Sequence, residues 1–233
     1  MTTVLAMAPM PVELRAFVKA AGLRRASRGD LVVHEGRVAG VDVVATIAGI
    51  GTKASTDATA QAIDAIAPDH VVVTGIAGGL DPSMRIGDLH IPAVAVEAAS
   101  GAEHRATPLG SQALRGTIRT GDELLSPEEM APFIDGVVLS VDMETAAIAA
   151  VCEQRSLPWT AFRGISDLVA DGVVGDDVLA LTNPDGSVRA MAGLRYVLTH
   201  PHHLPRLVRL GRGSVLAAKV AAEAATEAIG AAS

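Results

Sequence analysis

A single cysteine, Cys152, stands in the 233-residue chain, so no internal disulfide can form and a reducing cytosol is the expected setting. Aromatic residues make up only 2% of the sequence, and stacking against a planar ligand would rest on Phe17, Phe133, Trp159, Phe162 or Tyr196. Positive charge is scarce as well. Nineteen Lys and Arg against 26 Asp and Glu leave a net charge of −7, and the lack of a basic stripe argues against nucleic acid as a partner. No apolar run approaches the roughly 18 to 20 residues of a membrane-spanning helix. The N-terminal segment Met-Thr-Thr-Val-Leu-Ala-Met-Ala-Pro has no charged start and is too short to read as a secretory signal. A soluble, cytoplasmic protein is expected.

What is present is material for a large core, with 49% hydrophobic residues. The apolar run at residues 4–8 ends at Pro9 and Pro11, and helical spacing follows over 12–21 through Leu14, Phe17, Val18 and Ala21. Residues 31–35 and 41–48 are rich in β-branched side chains and read as a hairpin divided by Gly36 and Gly40. An Ala-rich helix is expected from Ser55 to Ile66. The run His70-Val-Val-Val-Thr74 has the continuous apolar character of a strand covered on both faces, ending in a turn at Gly75-Ile-Ala-Gly-Gly79. Further strands are expected over 86–97, 115–120 and 159–164, with a helix over 143–155. Strands alternating with helices predict an α/β fold, a mixed, mainly parallel twisted central sheet between helices.

Acids gather at strand ends, where open α/β sheets bind ligands: Glu13, Asp142, Glu144 and Asp167. In Leu139-Ser-Val-Asp-Met-Glu-Thr-Ala-Ala-Ile, an apolar strand runs into a helix, and positions 144, 148, 151 and 152 share one helical face. A carboxylate on the core-facing stripe needs a partner, and two sugar hydroxyls donating to it would serve. The ordinary alternative is that Glu144 complements the helix dipole from the first turn. Glu13 admits the same ordinary reading, and Ser166 or Asp167 can be a cap or turn residue. The Gly75–Gly79 segment lacks the G-x-G-x-x-G spacing of a dinucleotide site.

Taken together, Gly49-Ile-Gly51, Thr74-Gly-Ile-Ala-Gly-Gly-Leu80, Ile86-Gly-Asp88, Val141-Asp-Met-Glu144 and Arg163-Gly-Ile-Ser-Asp167 resemble the nucleoside phosphorylase and nucleosidase superfamily. Order and spacing match over about residues 2–180, and the two-part Val-Asp-Met-Glu and Ile-Ser-Asp signature is the specific element. The branch it looks most like is 5′-methylthioadenosine/S-adenosylhomocysteine nucleosidase. The resemblance implies a nucleoside phosphorylase-like three-layer sandwich and no cofactor or metal. It implies that Glu144 grips the ribose 2′- and 3′-hydroxyls and that Met143 packs beside the sugar. It makes Asp167 the acid that protonates purine N7, and Glu13 the carboxylate that orients and deprotonates the attacking water. Asp142, Gly78, Ile76 and Ser166 fall among the substrate-binding positions, and Phe162 or nearby backbone is expected at the base. The family is usually homodimeric or larger.

Three departures stand out. Ile76 replaces the usual Ser or Thr, Asp142 stands where a longer Glu is common, and Glu123-Leu-Leu125 lacks the aromatic that stacks on the base. Phosphorylases of this superfamily present arginines to phosphate near the first and Gly-rich turns. Here Arg15 has no evident arginine partner and Arg85 comes late, so hydrolysis of a 5′-substituted adenosine is the favoured expectation. Phosphorolysis and a hopanoid-associated adenosyl nucleosidase activity are the alternatives, and a non-catalytic nucleoside binder is less favoured.

The turn Asn183-Pro-Asp-Gly186 suggests a boundary between a catalytic domain (1–182) and a C-terminal helical extension (183–233) packed on it, with helices over about 187–198 and 203–230. Arg206, Arg209 and Arg212 step by three around Leu207, Leu210 and Val215. That pattern suits a helix lying on a membrane, and similar tails occur in hopanoid-associated relatives that act on an adenosylated lipid. A solvated face over an apolar seam is the favoured reading. His200-Pro-His202-His203 has no Cys or carboxylate ligand nearby and reads as a surface loop, while Cys152 reads as core.

Overall fold

The computed structural model describes residues 2–123, 128, 132, 136–168 and 204–232, with side chains for all of these but 204–207. The first strand, β1 (Thr3–Ala8), runs into α1 (Pro11–Ala21), and β2 (Arg24–Arg28), β3 (Leu31–Val38) and β4 (Val41–Ile47) follow as an antiparallel meander. Then come α2 (Thr52–Ile66), β5 (His70–Gly79), β6 (Leu89–His90), β7 (Val94–Glu97), β8 (Glu103–Arg105), β9 (Thr117–Thr120) and β10 (Val138–Asp142). The described chain closes with α3 (Thr145–Gln154), β11 (Trp159–Leu168) and α4 (Leu204–Ala231).

All eleven strands of the described residues belong to one mixed sheet, in the order β2-β3-β4-β1-β5-β10-β9-β7-β8, with β11 paired to β5 and β6. Strands β4, β1, β5 and β11 are mutually parallel, as are β7, β9 and β10, and the two sets meet where β10 runs antiparallel to the end of β5. Side-chain alternation along the central strands builds two cores. Leu5, Met7, Val71 and Val73 face α2 and α3, whereas Val4, Ala6, Ala8 and Val72 face α1 and α4. A sheet covered on both faces explains the unbroken apolar run at His70–Thr74.

Several expected elements shift. Gly75–Gly79 is not a turn: it continues β5 as extended strand, and none of its glycines has a positive φ. The strand expected over 86–97 splits into β6 and β7, and β2 and β8 are edge strands that the pattern did not disclose. Helix α3 begins at Thr145, so Glu144 is its N-cap and not a residue of its stripe. The 182/183 boundary and the 187–198 helix lie outside the described residues, as do His200, His202 and His203.

Helix α4 packs on β11 and α1, and of the expected seam Leu210 is half-buried, Val215 faces outward and the Leu207 side chain lies outside the described residues. Val215 is 59% exposed, on the same outward side as Arg209 and Arg212, and the buried side is Gly213, Ala217, Ala218, Ala221, Ala222 and Ala225. The reason is close approach. A Cβ on Gly164 of β11 would run into the Ala217 carbonyl, and one on Gly213 into the Ser166 carbonyl, so only small residues fit between helix and strand.

Candidate active site

The glycine-rich half of β5 lies between two strands that carry acids. On one side β11 pairs Arg163 with Gly75, Gly164 with Ile76 and Asp167 with Gly78, with a bulge at Ser166. On the other side β10 pairs Val141 with Gly78, and its end delivers Asp142, Met143 and Glu144. Glu144 and Asp167, 23 positions apart in the sequence, are therefore carried by the two strands that flank the same glycine. Glu13 arrives from the sheet's α1 face.

Glu13 occupies the first turn of α1, where the helix dipole favours an acid. It is only 2% exposed, and its oxygens accept hydrogen bonds from the Met10 N–H (2.6 Å) and the Ile76 N–H (2.8 Å). The second bond crosses 63 residues and fixes the carboxylate against β5. Burial raises its pKa from 4.5 to about 7, against the lowering pull of Arg163 and of the two backbone donors.

Arg163 is wholly buried and organises the centre. Its Nη2 donates to Asp142 Oδ2, Nε and Nη2 donate to Thr145 Oγ1 at 3.0 and 2.9 Å, and Nη1 reaches the Ile76 carbonyl at 3.4 Å. Glu144 Oε2 lies 3.6 Å from Nη2. No role for Arg163 was foreseen from the sequence. The available signal was an arginine set in the apolar strand Trp159–Ile165, because a charge there must find partners.

Glu144 is 6% exposed, and its Oε1 accepts the Gly51 N–H at 3.1 Å, tethering the start of α2. It does not cap α3. Asp142 Oδ2 takes the Thr145 N–H (3.0 Å) and Thr120 Oγ1 takes the Ala146 N–H (3.0 Å). Burial pushes the Glu144 carboxyl up to about 8, helped by the negative charge of Asp142 and opposed by Arg163. Asp142, expected against substrate, is turned toward protein groups: Thr120 Oγ1 donates to Oδ1 at 2.6 Å, and Thr145 and Arg163 donate to Oδ2.

Asp167 is half-buried beyond the bulge, and Ser166 Oγ donates to its Oδ1 at 2.5 Å. Met143, Gly78 and Ile76 are half-buried around the same strand ends. Phe162 sits elsewhere: it is fully buried in the core cluster on the α1–α4 side, packed as a core side chain, with no surface to offer a base. Cys152 is core, with its thiol pushed up to about 12 by burial, too high for a nucleophile. Arg15 and Arg85 are exposed. His70, His90 and His104 bond to Thr160, Ser140 and Glu153 respectively, each a separate structural contact.

Four acids and one arginine at the ends of adjacent strands can hold a polyol, activate a water molecule and move protons. Similarity to known proteins narrows that chemistry. The profile of the phosphorylase superfamily matches residues 3–109 and 97–192. The 5′-methylthioadenosine/S-adenosylhomocysteine nucleosidase of Geobacillus kaustophilus is 34% identical over 170 residues, 59% of this chain and 72% of that protein. The crystal structure of the corresponding Neisseria meningitidis nucleosidase with methylthio-immucillin-A superposes with a TM-score of 0.73 at 22% identity, over 98% of this chain and 99% of the other. The Colwellia psychrerythraea nucleosidase with adenine gives 0.73 at 22% identity, over 99% and 96%. At that identity the two superpositions speak for the fold.

Proposed function

The chain belongs to the phosphorylase superfamily, and from that premise we propose that it is a purine nucleosidase. It hydrolyses the N-glycosidic bond of a 5′-substituted adenosine of the methylthioadenosine or S-adenosylhomocysteine type and releases adenine. One observation carries the assignment of the site: Glu13, Arg163 and Glu144 meet in a single buried group beside the β5 glycines, and Asp167 follows on the adjoining strand.

In this reading the Glu144 carboxylate accepts hydrogen bonds from the ribose hydroxyls, and Met143 lies beside the ring. As the bond from C1′ to the purine breaks, the sugar becomes oxocarbenium-like and electrons move onto the base. Asp167 gives a proton to N7, with Ser166 fixing its carboxyl. Glu13 takes a proton from the water that attacks C1′, and a carboxylate with a pKa of about 7 is a suitable base near neutral pH. Acid on one side of the sugar and base on the other is the logic of inverting glycoside hydrolysis.

Electrostatics favour water over phosphate. The buried cation, Arg163, has its N–H groups directed to Asp142, Thr145 and Ile76, and faces Glu13 and Glu144. A phosphate dianion there would meet three carboxylates, and among the described residues no unengaged arginine stands in that buried group to offset them.

The test is adenine release from methylthioadenosine in phosphate-free buffer, followed by chromatography. Asp167→Asn is expected to lower kcat by about 100-fold or more with circular dichroism unchanged. Release that needs phosphate and yields a pentose 1-phosphate would move the protein to the phosphorylases, and an unchanged rate in the variant would remove Asp167 from the mechanism. A cytoplasmic homo-oligomer is part of the same proposal, open to cell fractionation and sedimentation. Among the described residues no helix is long and apolar enough to cross a membrane.

A further inference from the structure

Thr145 is wholly buried at the first position of α3, and each hydrogen-bonding site of its hydroxyl is used. A hydroxyl has one proton and two lone pairs. The proton goes to Asp142 Oδ2 (2.5 Å), and the lone pairs receive Arg163 Nε–H (3.0 Å) and Nη2–H (2.9 Å). One oxygen thus grips the whole Nε–Nη2 edge of the guanidinium, and the Asp142 oxygen behind it holds the second proton of Nη2.

The hydroxyl is not needed to start the helix. The N–H groups of Thr145 and Ala146 are capped by Asp142 and Thr120, and Thr145 Oγ1 bonds to neither. Its contacts point to the arginine and to the acid that pairs with it. Arg163 in turn lies between Glu13 and Glu144, lowering the proton affinity of both.

We infer that the Thr145 hydroxyl is a positioning residue for hydrolysis: it sets the plane of the Arg163 guanidinium, and through it the placement of Glu13 and Glu144. The inference rests on the nucleosidase reading. Without the hydroxyl, Nη2 keeps Asp142 and Nη1 keeps its long 3.4 Å bond to the Ile76 carbonyl, but Nε–H is left buried beside an apolar side chain and the Nε–Nη2 edge loses its shared acceptor. A planar cation gripped along one edge cannot swing.

Thr145→Val keeps the shape and removes the hydroxyl, and Thr145→Ser keeps the hydroxyl and removes the methyl. The valine variant is expected to lose about 10- to 100-fold in kcat, with KM changed less than about three-fold. The acid limb of its pH–rate profile moves to higher pH, because a loosened Arg163 stabilises ionised Glu13 less. The serine variant stays near wild type. Wild-type kcat and pH profile in Thr145→Val overturn the inference, as does an equal loss in both variants, which would mark the methyl packing as the cause. A second readout needs no turnover: exchange of the Arg163 Nε–H followed by nuclear magnetic resonance. Protection in wild type and Thr145→Ser with rapid exchange in Thr145→Val supports the clamp, and equal exchange in all three overturns it. Should the wild type release no adenine, the nucleosidase reading falls, and the exchange experiment still decides the clamp.

Discussion

The Glu13 carboxylate fills the space that a side chain on Gly75 would need, 62 residues away in sequence and on a different element. A Cβ at residue 75 would also lie 2.6 Å from Arg163 Nη1. Neither group can step aside, since both are buried and hydrogen-bonded on several sides. Gly75→Ala is therefore expected to cost about 1–3 kcal/mol of stability through overpacking. It should also lower kcat by about 100-fold through displacement of the proposed base. Urea unfolding and steady-state kinetics with methylthioadenosine measure the two effects. A variant with normal turnover would mean that the reaction takes place away from Glu13.

Burial shifts the acids and the histidines in opposite senses, and together they shape stability against pH. Glu13 and Glu144 titrate at about 7 and about 8 when folded, against an ordinary 4.5. The folded state keeps protons that the unfolded chain releases, so their contribution is full below 4.5 and is lost as pH rises toward 8. His70 and His90 are held near 4 by burial against an ordinary 6.5, so their contribution is full above 6.5 and is lost as pH falls toward 4. Between 4.5 and 6.5 the two slopes oppose each other; from 6.5 to 8 the acids act alone. Stability should peak at mildly acidic pH and fall toward pH 8, by at most about 1.4 kcal/mol per pH unit for each proton. Activity, which in the proposed mechanism needs Glu13 and Glu144 ionised, should rise over the same interval. Urea midpoints between pH 5 and 9 test this, and Glu13→Gln should flatten the decline. A slope that survives in Glu13→Gln and in Glu144→Gln would assign it to other groups.

The strands and helices that could be read from the sequence are those marked by an unbroken apolar run or by a regular side-chain period, such as β1, α1 and the β3–β4 hairpin. What could not be read depends on residues remote in the chain. Gly75–Gly79 looks like a turn because nothing near it discloses that Glu13 and Arg163 fill the room left by the missing side chain. Glu144 fits a helical stripe by spacing, yet it is the cap position, and its partners are Gly51 and Arg163. The acids at strand ends were legible because charges are few in this chain. Arg163 and Thr145 were not, because their importance lies in contacts across 18 and 87 positions that no periodicity records. In α4 the regular Arg–Leu spacing points to an aliphatic seam, whereas close approach to β11 selects Gly and Ala.

Glu144 offers a test of how the sugar is held. Its Oε1 tethers Gly51, and a ribose diol would be held by charge-assisted bonds to the carboxylate. Glu144→Gln keeps an acceptor for Gly51 but removes the charge, so kcat/KM is expected to fall by about 10- to 100-fold. With wild type, 2′-deoxy and 3′-deoxy substrates should each be poorer than the parent nucleoside. With Glu144→Gln the same deletions should cost much less, because the interaction they remove is already weakened. If the deoxy penalties stay undiminished in the variant, another group holds the diol.

Two glycines separate close packing from mere helix entropy. Gly164 lies between Arg163 and the bulge at Ser166, and an added Cβ would meet the Ala217 backbone, 2.6 Å from its carbonyl carbon and 2.7 Å from its Cα. Backbone cannot rotate away as a side chain can, so Gly164→Ala must lift α4 from β11. A loss of about 1–3 kcal/mol is expected, together with reduced turnover, because the strand that loses its helix cover carries Arg163 and Asp167. Gly211 is the control. It is exposed in the same helix, and nothing lies within 4 Å of its would-be Cβ. Gly211→Ala should stabilise by about 0.5–1 kcal/mol through helix propensity alone and leave kcat unchanged. Urea unfolding of the two variants side by side makes the comparison. Equal, small effects on stability and turnover would mean that α4 does not hold the strand that carries the site.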